Sequence, residues 1–416
     1  MVYYHLGLFI PRMLQVRSSI GLGNGYSFGD DFYPIWLTAR DSRAGYHDLY
    51  SYQMTREIQT GLFGRPLDPR NKFDPPIDYR QYAYPAFTDL LLWPSTLLDF
   101  PSLRIVLTLM LPVLTALGIW MWLKALRWDL HPMWRAVLIV LTLATYELLE
   151  AFFALQPGLF VAFFLAGAAL AIRNNRLTLG GVLCGLTLIK PQVTSLAILY
   201  LLLWSFSDRG RARFWQGFLA ATLTFTLGSL WIWPHWISEW IGVLLGYHNY
   251  AMPPLVTMLL GPTVPKYVAS VVIVILLAVS LFIAWRNRRA VQDSLRFWFT
   301  LGLLLAITTI TLLPGQAIYD HIILIPGILL VLRYRREFAA AGRIQRALLV
   351  AGATVLVWPW FSAFALLVVR GWISSEAFYA VRIFALPMRT AASLPFAVLA
   401  LIAWTWKICQ PKSLTS

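Results

Sequence analysis

The most polar stretch near the start of the chain, residues 29–51, reads GDDFYPIWLTARDSRAGYHDLYS. Its carboxylates could act as general bases, and its arginines could bind phosphate groups. Asp30 and Asp31 stand directly before apolar residues at 32, 35, 36 and 39, a spacing that predicts an amphipathic helix. We expect one of the two aspartates to cap this helix and the other to face a cavity as a general base.

Other residues capable of chemistry stand where apolar segments end. Lys190 precedes Pro191 and could bind a lipid phosphate, or it could extend its ammonium group towards lipid headgroups. Gln156 and Gln192 lie beside prolines, where they could contact substrate or satisfy backbone groups freed by the proline. Ionisable groups at the edge of a membrane segment are candidates for function. The remaining candidates are His248 in GYHNYAMPP and Tyr319, Asp320 and His321 in GQAIYDHIILIPG.

The composition indicates a membrane protein. The chain is 59% hydrophobic and 13% charged, with a mean hydropathy of +0.65, whereas soluble domains are about one quarter charged. Its 19 Trp, 18 Tyr and 25 Phe suit the aromatic belts of membrane interfaces. The helix after Asp31 is therefore expected to lie along the interface. Cys184 and Cys409 are too few for a disulfide framework.

Eleven apolar segments could cross the membrane, some of them only in part, which predicts an all-α polytopic fold with about 11–12 transmembrane helices. The basic residues concentrate in alternate loops, and the positive-inside rule places these loops in the cytoplasm. The formal charge of +15 is thus explained by topology rather than by nucleic-acid binding. The apolar segments are 103–123, 135–154, 158–173, 177–190, 193–207, 214–233, 267–285, 295–313, 318–333, 347–369 and 391–406.

The whole chain, 1–416, is read as one membrane domain. Residues 1–23 are expected to be an incomplete first span, because the apolar stretch before Arg12 is short and carries Pro11. Two long loops lie on the outer side, and spans fill the rest of the chain. In order, the parts are a first outer loop at 24–100, spans at 101–233, a second outer loop at 234–266, and spans with a short cytoplasmic tail at 267–416.

Several other functions find little support. The chain has no HExxH, GxSxG or Walker A motif, and its six histidines are scattered, so neither a metal nor a cofactor is predicted. A metal site built from Asp30, Asp31 and a histidine stays an alternative. A transporter or flippase for a lipid-linked sugar is a second alternative, but it would be expected to carry its charges at mid-membrane. A membrane scaffold without chemistry is a third.

Four blocks of the chain resemble glycosyltransferase family 87, multi-span enzymes of the GT-C type. The first block runs from Asp31 to Gly45 and continues into YHDLYS, and the second is YAYPAFTDLLLWP. The third is LQPGLFVAFFLAGAALAIRNNRLTLGGVLCGLTLIKPQ, and the fourth is YDHIILIPGILLVL. The chain departs from the family pattern at Ala86, which stands where a second proline is common, and in the order of LQPG.

The resemblance implies a GT-C core that transfers a hexose, with mannose expected, from a polyprenyl-phosphate donor with inversion. Asp31 would be the catalytic base, while Lys190 and Arg40 would bind the donor phosphate. The acceptor would be a glycolipid or glycan, reached on the extracytoplasmic side of a bacterial plasma membrane. The residues expected to line the substrate site are Asp30, Tyr46, Tyr50, Tyr84, Gln156, Gln192, His248, Tyr319, Asp320 and His321.

Overall fold

We describe the protein from a computed structural model that covers residues 1–45, 48–68, 70–74, 79–247, 251–315, 317–380 and 383–409. Within these ranges the chain is helical throughout and forms no β-strand, and its one isolated β-bridge joins Pro254 to Pro314. The prediction of an all-α polytopic membrane protein is confirmed.

The N-terminal region and the first loop form short helices. The predicted incomplete first span is helical between Val2 and Ser19, and its Tyr4, His5 and Phe9 side chains are buried. Proline residues stand in the first turn of several helices, where a missing N–H costs nothing. The helices are α1 (Val2–Tyr4), a π-helix (His5–Phe9), α2 (Ile10–Ser19), α3 (Tyr33–Arg43), α4 (Tyr52–Phe63), α5 (Phe87–Leu92) and a 3₁₀ helix (Trp93–Leu97).

The central region contains most of the apolar helices. Asp99 caps α6 by accepting a hydrogen bond from the Ser102 N–H at 2.9 Å. The helices are α6 (Phe100–Ala125), α7 (Pro132–Leu143), α8 (Tyr146–Phe153), α9 (Gly158–Arg173), α10 (Leu177–Leu186), a 3₁₀ turn (Thr187–Ile189), α11 (Pro191–Phe206), a 3₁₀ turn (Arg209–Arg211), α12 (Ala212–Ile232), α13 (Trp236–Tyr247), α14 (Leu255–Leu260), α15 (Lys266–Asn287) and α16 (Leu295–Thr311).

The C-terminal region completes the bundle. It begins with a 3₁₀ helix that carries Tyr319, Asp320 and His321, and this helix leads directly into α17. The elements are the 3₁₀ helix (Ile318–Leu324), α17 (Ile325–Arg333), α18 (Arg335–Ala340), α19 (Arg343–Trp372), α20 (Ser375–Ala380), a 3₁₀ turn (Ile383–Ala385), α21 (Leu386–Ala391) and α22 (Leu394–Cys409).

Each of the eleven apolar segments predicted from the sequence is mostly helical, but they differ in how far they could reach across a membrane. Among the residues that the structure describes, four helical stretches are long and apolar enough to cross it: α6, α15, α19 and residues 383–407. Two more result if bent pairs count as one span each, with 61° between α7 and α8 and 100° between 209–232 and α13. The other apolar helices, α9, α10, α11 and α16, are shorter.

Helices α10 and α12 pack closely through glycines. A Cβ atom at Gly181 would overlap the Phe214 carbonyl oxygen, and one at Gly217 would overlap the Thr178 carbonyl oxygen. Small residues allow helix backbones to approach in membranes, where van der Waals packing drives association. This contact fixes α10, and with it the turn that ends at Lys190.

Contacts join the loops in two groups. Arg127 and Arg173 both pair with Asp293, at 3.4 Å and 2.7 Å, so three of the loops assigned to the cytoplasm meet. In the other group, the Trp240 indole N–H donates to the Ala83 carbonyl at 2.9 Å, which joins the two outer loops. These contacts join loops that the positive-inside rule assigns to the same side of a membrane.

Candidate active site

The turn between α8 and α9 anchors the beginning of the first loop. The backbone N–H of Gly29 donates to the Phe153 carbonyl at 2.9 Å, and that of Asp31 donates to the Ala154 carbonyl at 3.2 Å. The following Leu155 has φ +49°, a left-handed conformation that is uncommon for a residue other than glycine and often marks a functional site. These contacts bring Asp31 next to Gln156, 125 positions away in sequence.

Both oxygens of the Asp31 carboxylate are hydrogen-bonded. Oδ1 accepts from Arg80 Nη1 at 2.6 Å, and Oδ2 accepts from the Gln156 amide nitrogen. The Arg80 guanidinium also donates to Asp30 Oδ2 at 2.7 Å, and Arg17 lies 3.7 Å from that oxygen. A carboxylate oxygen has two lone pairs, so Asp31 retains the capacity to accept a hydroxyl proton.

Lys190 is buried and forms an ion pair. Its Nζ lies 2.9 Å and 2.7 Å from the two Asp320 oxygens, 3.1 Å from Gln156 Oε1, and 5.0 Å from the centre of the Tyr319 ring. A Cβ atom at Gly158 would lie 2.5 Å from Asp320 Oδ1, so this position has no room for a side chain. Of the two alternatives for Lys190, the one in which its ammonium extends towards lipid headgroups is wrong, because the ammonium has buried partners.

A cavity of about 640 Å³ lies over these groups. Its ionisable lining residues include Asp30, Asp31, Arg17, Arg80, Glu150 and Lys190. The apolar part of its lining includes Ile189, Trp240, Leu244 and Leu312. A pocket with apolar walls and a few convergent polar groups is typical of a small-molecule site.

The structure also shows what caps the first-loop helix. The N-cap residue of α3 is Phe32, with no side-chain capping bond, so neither aspartate caps the helix and that expectation is wrong. Nor does α3 lie exposed along an interface, since its residues from Tyr33 to Ala39 are all buried. The helix packs against α5 and the 3₁₀ helix Trp93–Leu97, and the aspartates before it accept hydrogen bonds from the guanidinium of Arg80.

Several residues expected at the substrate site do line the cavity: Asp30, Tyr84, Gln192 and Tyr319. Gln156 and Asp320 are buried immediately behind it, bonded to Asp31 and Lys190 respectively. Desolvation raises the pKa of the Tyr84 phenol well above its usual value, so this hydroxyl stays protonated as a hydrogen-bond donor.

Three of the expected residues lie elsewhere. Arg40 pairs with its neighbour Asp41 at 2.7 Å and stacks over the Trp36 ring, so its guanidinium is held away from the cavity. The Tyr50 hydroxyl donates to the Tyr84 carbonyl at 2.9 Å, and Tyr50 contributes to the wall of another cavity. His321 is buried outside the cavity lining, and its Nδ1 has no hydrogen-bond partner among the described residues.

Two expected residues, Tyr46 and His248, lie outside the residues that the structure describes. Four residues that were not predicted to be site residues also line the cavity: Arg17, Arg80, Trp240 and Tyr247. A basic residue in a polar loop has no local pattern that distinguishes it from its neighbours. The left-handed φ of +59° at Arg80 sets it apart only once the structure is known.

Another buried carboxyl lies deeper in the first loop. Asp89, on α5, is 1% exposed and accepts a hydrogen bond from the Tyr82 hydroxyl. Burial raises the pKa of Asp89 to about 8. It does not line the cavity. In the described part of the chain, no three His, Cys, Asp or Glu side chains are grouped in a way that could hold a metal ion.

The fold and the site define a polytopic membrane protein whose loops enclose a cavity with a carboxylate and cationic groups. The family model described as glycosyltransferase family 87 matches residues 82–314, more than half of the chain. The chain therefore belongs to glycosyltransferase family 87 and is a glycosyltransferase, as its sequence motifs predict. The match includes Gln156 and Lys190, and it leaves Asp31 and Asp320 outside. Neither a curated protein nor a solved structure matches the chain.

Proposed function

We propose that the protein transfers a hexose, most simply mannose, from a polyprenyl-phosphate donor to a hydroxyl of a glycolipid or glycan acceptor, within a GT-C core. One observation supports this proposal most directly. The carboxylate of Asp31 and the buried ammonium of Lys190 are hydrogen-bonded to the same amide, that of Gln156, and both line one cavity. A sugar phosphate donor needs both groups, a base for the acceptor and a cation for the leaving phosphate.

The chemistry is a single displacement at the anomeric carbon with inversion. Asp31 accepts the proton of the acceptor hydroxyl as its oxygen forms the new bond to C1. The bond from C1 to the phosphate oxygen breaks, and the electron pair leaves with the lipid phosphate. Lys190 and Arg80 stabilise the charge that grows on this phosphate, which lowers the barrier more than it strengthens ground-state binding.

The lining of the cavity suits such a donor. Trp240, Leu244 and Leu312 provide apolar contacts for the first units of a polyprenyl chain. The ring of Tyr319 stacks beneath Lys190, and the Tyr84 hydroxyl can donate to the sugar. A polar end and an apolar wall within one pocket match a ligand that is itself a sugar phosphate on a hydrocarbon chain.

The distribution of basic residues among the loops indicates on which side of the membrane the active site lies. The loops that contain Arg127 and Arg173 are rich in basic residues and meet at Asp293, and the positive-inside rule assigns such loops to the cytoplasm and the first loop, with Asp31, to the other side. We therefore place the active site on the extracytoplasmic side of a bacterial plasma membrane. Its acceptor would be an envelope glycolipid or glycan, within reach of membrane lipids.

The test is sugar transfer by membranes containing the wild type, Asp31→Asn or Asp30→Asn, supplied with radiolabelled polyprenyl-phosphate mannose. Loss of a general base is expected to lower transfer by about 10²–10⁴-fold in Asp31→Asn. Asp74→Asn is the matched control, because Asp74 forms a two-bond ion pair with Arg65 in the same loop but does not line the cavity. It is expected to stay active.

Full activity in Asp31→Asn would assign the base elsewhere, with Asp30 the next candidate. A wild type that forms no new glycosidic bond from this donor would refute the donor, and polyprenyl-phosphate glucose and galactose are then tested in parallel. Movement of intact labelled lipid across the membrane without a glycosylated product would instead support a flippase.

A further inference from the structure

The side chain of Gln156 lies between the two groups to which the proposed reaction assigns opposite tasks. Its amide nitrogen donates to Asp31 Oδ2, and its Oε1 accepts from Lys190 Nζ at 3.1 Å. The residue is 1% exposed, so neither bond is exchanged readily with water. One amide therefore bridges the proposed base and the proposed phosphate-binding cation.

The direction of this bridge is fixed by chemistry. An ammonium group only donates hydrogen bonds, so the amide oxygen must face Lys190 and the amide nitrogen must face Asp31. The backbone holds the side chain in place as well. The Gln156 N–H donates to the Ala151 carbonyl at 2.9 Å, an arrangement that closes α8 with Leu155 in the left-handed conformation.

We propose that Gln156 is a positioning residue that orients the Asp31 carboxylate and couples it to Lys190. This inference rests on the proposed function, because it assumes that Asp31 is the base. An N–H donated to a carboxylate favours the charged form, the only form that can accept a proton. The bridge also fixes the carboxylate plane, so its remaining lone pairs stay directed towards the cavity.

Other charged and titratable groups also face Asp31. They are Asp30, Arg17, Arg80, Glu150, Lys190, Tyr84, Tyr247 and Tyr319 in the cavity lining, together with Asp320 behind Lys190. Replacing Gln156 by Leu removes one hydrogen bond from Lys190, which keeps its two bonds to Asp320. A change in the pH dependence of such a variant is therefore assigned to Asp31 only where the infrared band of Asp31 shifts with it.

Two replacements separate the two halves of the bridge. Gln156→Leu removes both hydrogen bonds. Gln156→Glu keeps an acceptor for Lys190 but presents a carboxyl oxygen to Asp31 in place of the N–H donor. The matched control is Gln59→Leu, since Gln59 is 2% exposed and makes two comparable bonds, to the Tyr79 carbonyl at 2.7 Å and from the Leu67 N–H at 2.9 Å.

The first readout is the pH profile of kcat/KM. Loss of a hydrogen bond to an ionised group is expected to move the acid limb in Gln156→Leu upward by about one to two pH units. Gln156→Glu is expected to move it at least as far, because like charges disfavour ionisation of the base. Gln59→Leu is expected to lower the amount of folded enzyme without moving the limb.

The second readout does not depend on the donor. Infrared difference spectra recorded across a pH titration, with the Asp31→Asn spectrum subtracted, isolate the carboxylate band of Asp31. Its midpoint is expected to rise in Gln156→Leu relative to the wild type. An unchanged midpoint would overturn the positioning role even if transfer is observed. A wild type without transfer would refute the proposed donor, and the infrared result would still decide the role of Gln156.

Discussion

The ion pair between Lys190 and Asp320 is the buried contact on which the proposed reaction depends most directly. Two bonds of 2.7 Å and 2.9 Å join the groups, and their side chains are 9% and 0% exposed. Lys190→Met alone leaves a buried carboxylate without its cation, which costs about 3–5 kcal/mol. The double variant Lys190→Met/Asp320→Asn removes both charges, so it is expected to regain most of the lost stability.

The double variant should therefore be stable but have low transfer activity. The double variant is expected to fold yet to lose about 10²–10³-fold in transfer, because no ammonium remains to stabilise the departing phosphate. Asp320→Asn alone keeps the ammonium. We expect it to retain transfer with a lower KM for the donor, since the phosphate no longer competes with a carboxylate for Lys190.

The assay combines thermal unfolding of the detergent-solubilised variants with initial rates of mannose transfer over a range of donor concentrations. Lys124→Met serves as the control, because Lys124 forms an exposed ion pair with Asp129 at 3.3 Å and does not line the cavity. Wild-type kcat in the stable double variant would refute the phosphate-binding role of Lys190. It would leave the pair as a purely structural contact between two apolar segments.

Two further predictions concern the fold. Because burial raises the pKa of Asp89 to about 8, its contribution to stability is full below the unfolded value of about 4 and is lost as the pH rises to about 8. Asp89→Asn is expected to abolish this decline. If the melting temperatures of wild type and variant fall equally as the pH rises across that range, the prediction is contradicted. Gly181→Ala forces α10 away from the Phe214 carbonyl and is expected to cost about 1–3 kcal/mol in thermal unfolding. Gly242→Ala, whose Cβ meets open space, should be neutral or slightly stabilising, and equal melting temperatures for the two variants would argue against close packing.

The helices could be predicted from the sequence because their causes are local. Long apolar runs, prolines in first turns and capping side chains such as Asp99 and Ser294 act within a few residues of one another. The number of full crossings could not be predicted in the same way. It depends on breaks such as the 61° bend between α7 and α8, which brings the end of α8 to the first loop.

Part of the site was also predictable. Four of its residues are polar and stand beside apolar segments, where an ionisable or amide group is costly and is therefore a candidate for function: Asp31, Gln156, Lys190 and Asp320. Arg40 was assigned to the donor phosphate by the family resemblance. It lies outside the cavity because Asp41, its immediate neighbour, satisfies it locally.

The sequence by itself determined that this is a helical membrane protein of the glycosyltransferase family 87 type, and it limited the chemistry to a few polar residues. Only the tertiary structure decided which of them meet. Asp31 contacts Arg80 across 49 positions and Gln156 across 125, and Lys190 contacts Asp320 across 130. Such contacts depend on the packing of whole helices, such as α10 on α12 through glycines, and no local pattern of residues records that packing.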